Sequence, residues 1–148
     1  MSTRLTLTVK RLPDVELLNE GFRLVRLFCD VRFQYPEGLS DPYAAIIDTG
    51  APLSMVPRSM WERAHVRRLK PLRLQGLVAR KECAVAVTAG ILSAVFQDAE
   101  GHQVKHAFRA YLAERDEVPL ILGMQDVLEE GRLLVDLKGG IAWFEFRT

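Results

Sequence analysis

Residues 44–57 read A-A-I-I-D-T-G-A-P-L-S-M-V-P. A short apolar run delivers one carboxylate, Asp48, into a turn built from Thr49, Gly50, Ala51 and Pro52. Burying a carboxylate's charge among apolar side chains is costly. An aspartate here is either satisfied by its own turn or held at the floor of a cleft as an acid or base. Gly50 lets the backbone bend tightly and lets another chain or a ligand come close. The Thr49 hydroxyl can fix neighbouring backbone groups, and Ala51 adds little bulk. D-T-G is a short motif, so on the tripeptide alone an ordinary turn after a strand stays open.

Outward from Asp48 the chain reads as mostly β. Residues 43–47 are nearly all apolar, as in a strand buried on both faces. Upstream, residues 5–9 alternate, and residues 24–33 alternate in part before a Tyr35-Pro36-Glu37-Gly38 turn cluster. Downstream, residues 57–69 are the best helix candidate, with Pro57 at the start and Met60, Trp61, Ala64 and Leu69 on one face. Residues 72–87 suggest a hairpin with its turn at 79–81 or at Gln75-Gly76. Residues 91–96 and 104–112 suggest another, joined by Asp98-Ala99-Glu100-Gly101. Residues 118–122 form a further apolar run ended by Gly123. Residues 124–130 could form a short helix with Gly131 at its C-terminal cap. The chain closes with residues 133–137 and 141–146 around Lys138-Gly139-Gly140, a hairpin signal.

Composition bounds the rest. The 148 residues suit one domain, 1–148, and the 49% hydrophobic and 26% charged content is that of a soluble globular protein. No apolar run approaches the ~20 residues of a membrane span, and residues 1–10 lack the apolar core of a signal peptide. A net charge of +1 gives no general pull towards nucleic acid or acidic membranes. Cys29 and Cys83 each stand alone, with no C-x-x-C spacing for zinc or dithiol chemistry, and read as reduced buried thiols of a cytoplasmic protein.

The context of Asp48 resembles the retropepsin-like aspartic proteases, the single-domain relatives of the pepsins. Ile46-Ile47-Asp48-Thr49-Gly50-Ala51 follows the order of that family's active-site segment, and Ser54-Met55-Val56-Pro57 continues it as in bacterial members. Leu120-Ile121-Leu122-Gly123-Met124, then Val127-Leu128, resembles the family's downstream signature of apolar residues and a glycine. The closing hairpin, Leu133-Leu134-Val135-Asp136 through Ile141-Ala142-Trp143-Phe144, is also similar to bacterial members.

The resemblance implies a mostly β, closed β-barrel-like retropepsin (acid protease) fold with one or two short helices. It implies hydrolysis of peptide bonds by a water held between two aspartates, with no metal or organic cofactor. Asp48 would be catalytic, and Thr49, Gly50 and Ala51 would support it. Ile121, Leu122 and Gly123 would be the downstream motif. There is one D-T-G and no D-S-G, and Asp98, Asp116, Asp126 and Asp136 sit in other contexts. The second aspartate is therefore expected from a second copy of the chain, in a twofold homodimer. The terminal strands, here residues 141–146, would pair across that dimer.

The family also covers its cleft with a hairpin flap. By position this falls near residues 74–83, with Gln75, Gly76, Leu77 and Val78 as flap candidates and Gly76 the lone glycine. Retroviral members carry an acid after D-T-G-A and an arginine after the downstream glycine. Here those places hold Pro52 and Met124.

The expected partners are a peptide or protein substrate and a second subunit, with no nucleic acid and no membrane. The alternative is an inactive retropepsin-like domain that serves as a dimerisation or peptide-binding module. Other features read as structural. His102 and His106, four apart on an expected strand, read as solvent-facing. The basic stretch from Arg58 to Lys81 reads as a solvated surface without interleaved aromatic platforms. Trp61, Trp143 and Phe144 read as core or interface residues.

Overall fold

The computed structural model describes residues 2–13, 16–74 and 85–147. Its strands are β1 (Thr3–Thr6), β2 (Thr8–Pro13), β3 (Arg23–Tyr35), β4 (Gly38–Leu39), β5 (Tyr43–Ile47), β6 (Ser54–Val56), β7 (Val66–Leu74), β8 (Val85–Gln97), β9 (Gln103–Ala113), β10 (Ile121–Leu122), β11 (Gly131–Asp136) and β12 (Ile141–Phe146). One short helix, α1 (Arg58–Trp61), interrupts them.

Six strands close on themselves in the order β3-β5-β10-β6-β9-β8, and β8 pairs back onto β3 through Asp30↔Gln97 to Phe33↔Ala94. The expected mostly β, closed barrel is the observed fold. β3 makes closure possible because it is 13 residues long. On one side it pairs first with β2 and then with β8, and on the other with β5. A separate three-stranded sheet, β1-β12-β11, packs against the barrel. Phe96 of the barrel stacks against Phe108 at 5.8 Å and Phe146 at 5.4 Å, and Phe146 meets Phe144 at 4.8 Å. All four rings are buried and fasten the two sheets together, each contributing about 1.5–3 kcal/mol of apolar burial.

Several expectations need correction. The helix expected over residues 57–69 is confined to Arg58–Trp61. From Val66 the chain is β7, matched to β8 at eight positions with a slip between Arg68 and Lys70. That pairing overrides the helical spacing, and Leu69 is half exposed rather than on a buried face. Residues 5–9 are not one strand, because the chain changes sheet at Leu7. Only Ile121–Leu122 of residues 118–122 pairs as a strand. The expected helix at 124–130 reduces to a 3₁₀ turn at Leu128–Glu130, and Gly131 follows in extended conformation, not as a left-handed cap. Residues 141–146 are the centre of the three-stranded sheet, hydrogen-bonded to β1 on one side and β11 on the other. They have no free edge for pairing across a dimer. β1 and β11 hold the open edges.

Candidate active site

The sequence places Asp48 at the end of β5, and β5 lies between β3 and β10. β5 and β10 run parallel, with Ile46 beside Ile121 and Ile47 beside Leu122. The ladder continues past both strands, because the Asp48 N–H donates to the Leu122 carbonyl at 3.0 Å. The two motifs that are far apart in sequence are thus neighbours. Within the turn, the Gly50 N–H donates to Asp48 Oδ1 at 2.8 Å and the Ala51 N–H to the Asp48 carbonyl at 3.2 Å. The other carboxylate oxygen has no hydrogen-bond partner among the described residues.

The downstream motif forms the seat of this turn. Gly123 N–H donates to the buried Ser54 hydroxyl at 2.9 Å. Met124 N–H donates to the Ala51 carbonyl at 2.8 Å and Gln125 N–H to the Pro52 carbonyl at 3.0 Å. A Cβ on Gly123 would lie 2.6 Å from the Leu53 carbonyl and 2.7 Å from that of Ala51, so only glycine fits without moving backbone. Backbone bonds therefore tie together the two segments that lack the acid and arginine of retroviral members. Ser54 was not among the candidate site residues. Its burial at the start of β6 depends on the fold, and sequence context alone gave it no role.

Asp48 stands at the edge of a cleft of about 570 Å³. The walls are Val25 and Leu27 of β3, Ile46 and Ile47 of β5, Ile121, and Leu133 and Val135 of β11 with Leu137. Ile46 and Ile47 both border this opening and are only half-buried, although Ile47 also packs against the barrel core, which corrects the expectation of a strand buried on both faces. Asp48 and Arg26 are the two charged residues of the lining. Val25 is 44% exposed, and Val135 and Leu137 are each 41% exposed, so the cleft opens onto uncovered apolar surface. Thr49 also lines it, whereas Ala51 faces the downstream turn. Gln75, Gly76, Leu77 and Val78 lie outside the described residues, as do the hairpin turn and Cys83.

No second aspartate lines the cleft among the described residues. Asp136 accepts from Gly139 N–H at 2.8 Å in the closing hairpin, and Asp116 accepts from Ser59 N–H at 2.7 Å. Asp98 is buried in the β8–β9 turn and bonds Thr6 N–H and the His102 ring. Desolvation raises its carboxyl, but these bonds outweigh it and hold the group below its ordinary range. Asp126, the one described non-glycine residue with positive φ (63°), is held by β9. Its carboxylate accepts from the Arg109 N–H at 2.9 Å and guanidinium at 2.8 Å. Those bonds, with the nearby charges of Arg109 and His106, likewise outweigh desolvation and lower its pKa.

The histidines are not simply solvent-facing. His102 is exposed but bonded to Asp98. His106 is half-buried, donates from Nε2 to the Asp126 carbonyl and packs 5.0 Å from the Phe146 ring. Two side-chain groups, Asp98-Glu100-His102 and Asp126-Glu129-Glu130, bring potential ligand atoms within 4.8 Å of one another. In each, the most buried carboxylate is already engaged by internal donors. Cys29 is a buried free thiol whose pKa burial pushes up to about 12, with the charges of Asp30 and Asp98 adding to the rise. Trp61 is buried and donates to the Ala113 carbonyl at 2.7 Å. No helix among the described residues is long and apolar enough to cross a membrane.

No protein-family model and no curated protein matches the chain. Among solved structures it is similar to a retropepsin-like aspartic protease from Rickettsia conorii, at 9% identity and a TM-score of 0.51. That likeness covers 99% of this chain and 92% of the other. At this identity it shows the fold alone, a retropepsin-like closed barrel.

Proposed function

We propose that the chain is an aspartic endopeptidase that works as a homodimer, with one Asp48 from each subunit. The observation that carries this reading is the state of Asp48. One carboxylate oxygen is fixed by Gly50 N–H, the other is unengaged among the described residues, and the side chain borders an apolar cleft that holds no second aspartate among those residues. The surrounding exposed apolar residues favour a covering partner, and a twofold copy would bring the same carboxylate to the opposite wall. Two carboxyls that close share a proton and titrate as a unit. The ionised one takes a proton from water as the water attacks the peptide carbonyl. The protonated one donates to the carbonyl oxygen, and the proton gained from water then goes to the leaving amine. Once the second subunit covers the cleft, its apolar walls exclude competing water and strengthen both transfers.

The test is cleavage of an unfolded protein such as casein between about pH 4 and pH 7, over a range of enzyme concentrations. The reading expects a rate that rises more than linearly with protein, is blocked by pepstatin-type inhibitors and is lost in Asp48→Asn. A confirmed dimer that binds peptides but never cleaves them, with binding that survives Asp48→Asn, would instead establish the non-catalytic peptide-binding module.

A further inference from the structure

The seat of Asp48 is itself held from behind. Met124 and Gln125, whose N–H groups hold the Ala51 and Pro52 carbonyls, are followed immediately by Asp126. Asp126 is bonded through its carboxylate Oδ2, its carbonyl and its N–H. Its carboxylate receives the Arg109 backbone N–H and guanidinium, its carbonyl receives His106 Nε2, and its own N–H donates to Glu129 Oε1 at 2.8 Å. Arg109 and His106 both belong to β9. Arg109 sits one residue before the stretch of β9 that pairs with β6, where Ser54↔Ala110 begins. The Asp126 carboxylate thus takes up an N–H of β9 at the point where its ladder with β6 starts. A single residue joins the wall of the barrel to the turn under the D-T-G loop.

We propose that Asp126 is a positioning residue for Asp48, and that its Arg109 latch fixes the height and tilt of the Asp48 turn through Met124 and Gln125. The proposal rests on Asp48 being catalytic for its kinetic consequence, but not for its structural one. The positive φ of Asp126 supports it, because a non-glycine residue held there needs external bonds to keep it. The bonds run from β9 to Asp126, from its two preceding N–H groups to Ala51 and Pro52, and from that turn to the carboxylate. A small loss of register at such a seat costs rate far more than binding.

The experiment compares the full chain with Asp126→Gly, which keeps the backbone conformation and removes the latch. Asp126→Asn serves as a gentler second variant that retains one acceptor. Amide hydrogen exchange is read at Met124 and Gln125, with the β11–β12 amides as the internal reference, alongside kcat and KM on a peptide. The latch predicts exchange at Met124 and Gln125 about tenfold faster in Asp126→Gly while the reference amides stay unchanged, and a kcat about tenfold lower with little change in KM. Arg109→Lys in the otherwise wild-type chain should show the same two effects in weaker form, since the backbone N–H bond to Asp126 and the charge are kept. Unchanged exchange at the two amides in a folded variant overturns the latch, whatever the activity. Faster local exchange in a chain that cleaves nothing even as wild type upholds the latch and removes the protease reading.

Discussion

Two turns in this chain begin in the same way and end in opposite conditions. Asp48 Oδ1 accepts from the N–H two residues on, at Gly50, and the Asp48 carbonyl accepts from Ala51. Asp98 repeats the pattern, with Oδ1 accepting from Glu100 N–H at 3.0 Å and its carbonyl from Gly101 N–H at 3.3 Å. There the likeness stops. Asp98 takes three more bonds, from the His102 N–H at 2.9 Å, the His102 ring at 2.9 Å and the Thr6 N–H at 3.0 Å. Its side chain is shut off from water. A carboxylate so occupied is a fastener that holds β1 to the β8–β9 turn. Asp48 keeps one oxygen unclaimed among the described residues, open to a further partner. The difference lies in the number of donors around the acid, not in the acid or its turn.

The sharpest way to break this comparison is to neutralise each acid in turn. Asp48→Asn should lower cleavage by at least about a hundredfold, and leave the urea midpoint near wild type, since the amide oxygen can keep the Gly50 bond. Asp98→Ala should do the reverse. It strands four part-buried donors and should cost about 1–3 kcal/mol in urea denaturation, with the specific activity of the folded fraction intact. If the two losses changed places, the fastener and the working acid would have been misassigned.

A third substitution tests the seat that lets Asp48 stay open. Gly123→Ala drives a Cβ into the Leu53 and Ala51 carbonyls. It should lower stability by about 1–3 kcal/mol and slow cleavage as well, read by thermal denaturation and peptide turnover.

pH sharpens the contrast further. The Asp98 carboxyl lies below its ordinary value of 3.8 in the folded chain, so the unfolded chain binds that proton first as pH falls. The stability it contributes is complete above that value and is lost as pH drops through the folded value. The gap in urea midpoint between wild type and Asp98→Asn should therefore be constant near neutrality and narrow below about pH 4. The smallest effect belongs to carboxylates that meet a cation in open water. Arg58→Ala removes an exposed pair with Glu62 at 3.0 Å and should leave the denaturation midpoint unmoved within error.

What the sequence could tell follows the range of the interactions involved. Residues 43–47 read as a strand because their pattern is local, and β5 has those bounds. The two glycine-bearing motifs could be noticed as motifs, but that they touch is decided by parallel pairing across more than seventy positions. The helix over residues 57–69 failed because β8, not the segment itself, chooses the conformation from Val66 onward. Asp98 could be read as a turn residue. Its burial could not, since one of its donors comes from Thr6, 92 positions away. β12 looked like a strand for a partner because nothing local shows that β1 returns to cover it.

The parallel pairing of β5 with β10 also sets an order in time. A growing chain has made the D-T-G turn long before it has made Leu122, Gly123, Met124 and Gln125, which hold that turn in place. Until they arrive, the strand ending at Asp48 has lost one of its two neighbours and the turn has no floor. Contacts so distant in sequence close late in folding. A fragment released before residue 125 carries Asp48 without its seat, so the finished form of this turn waits until most of the chain has been made.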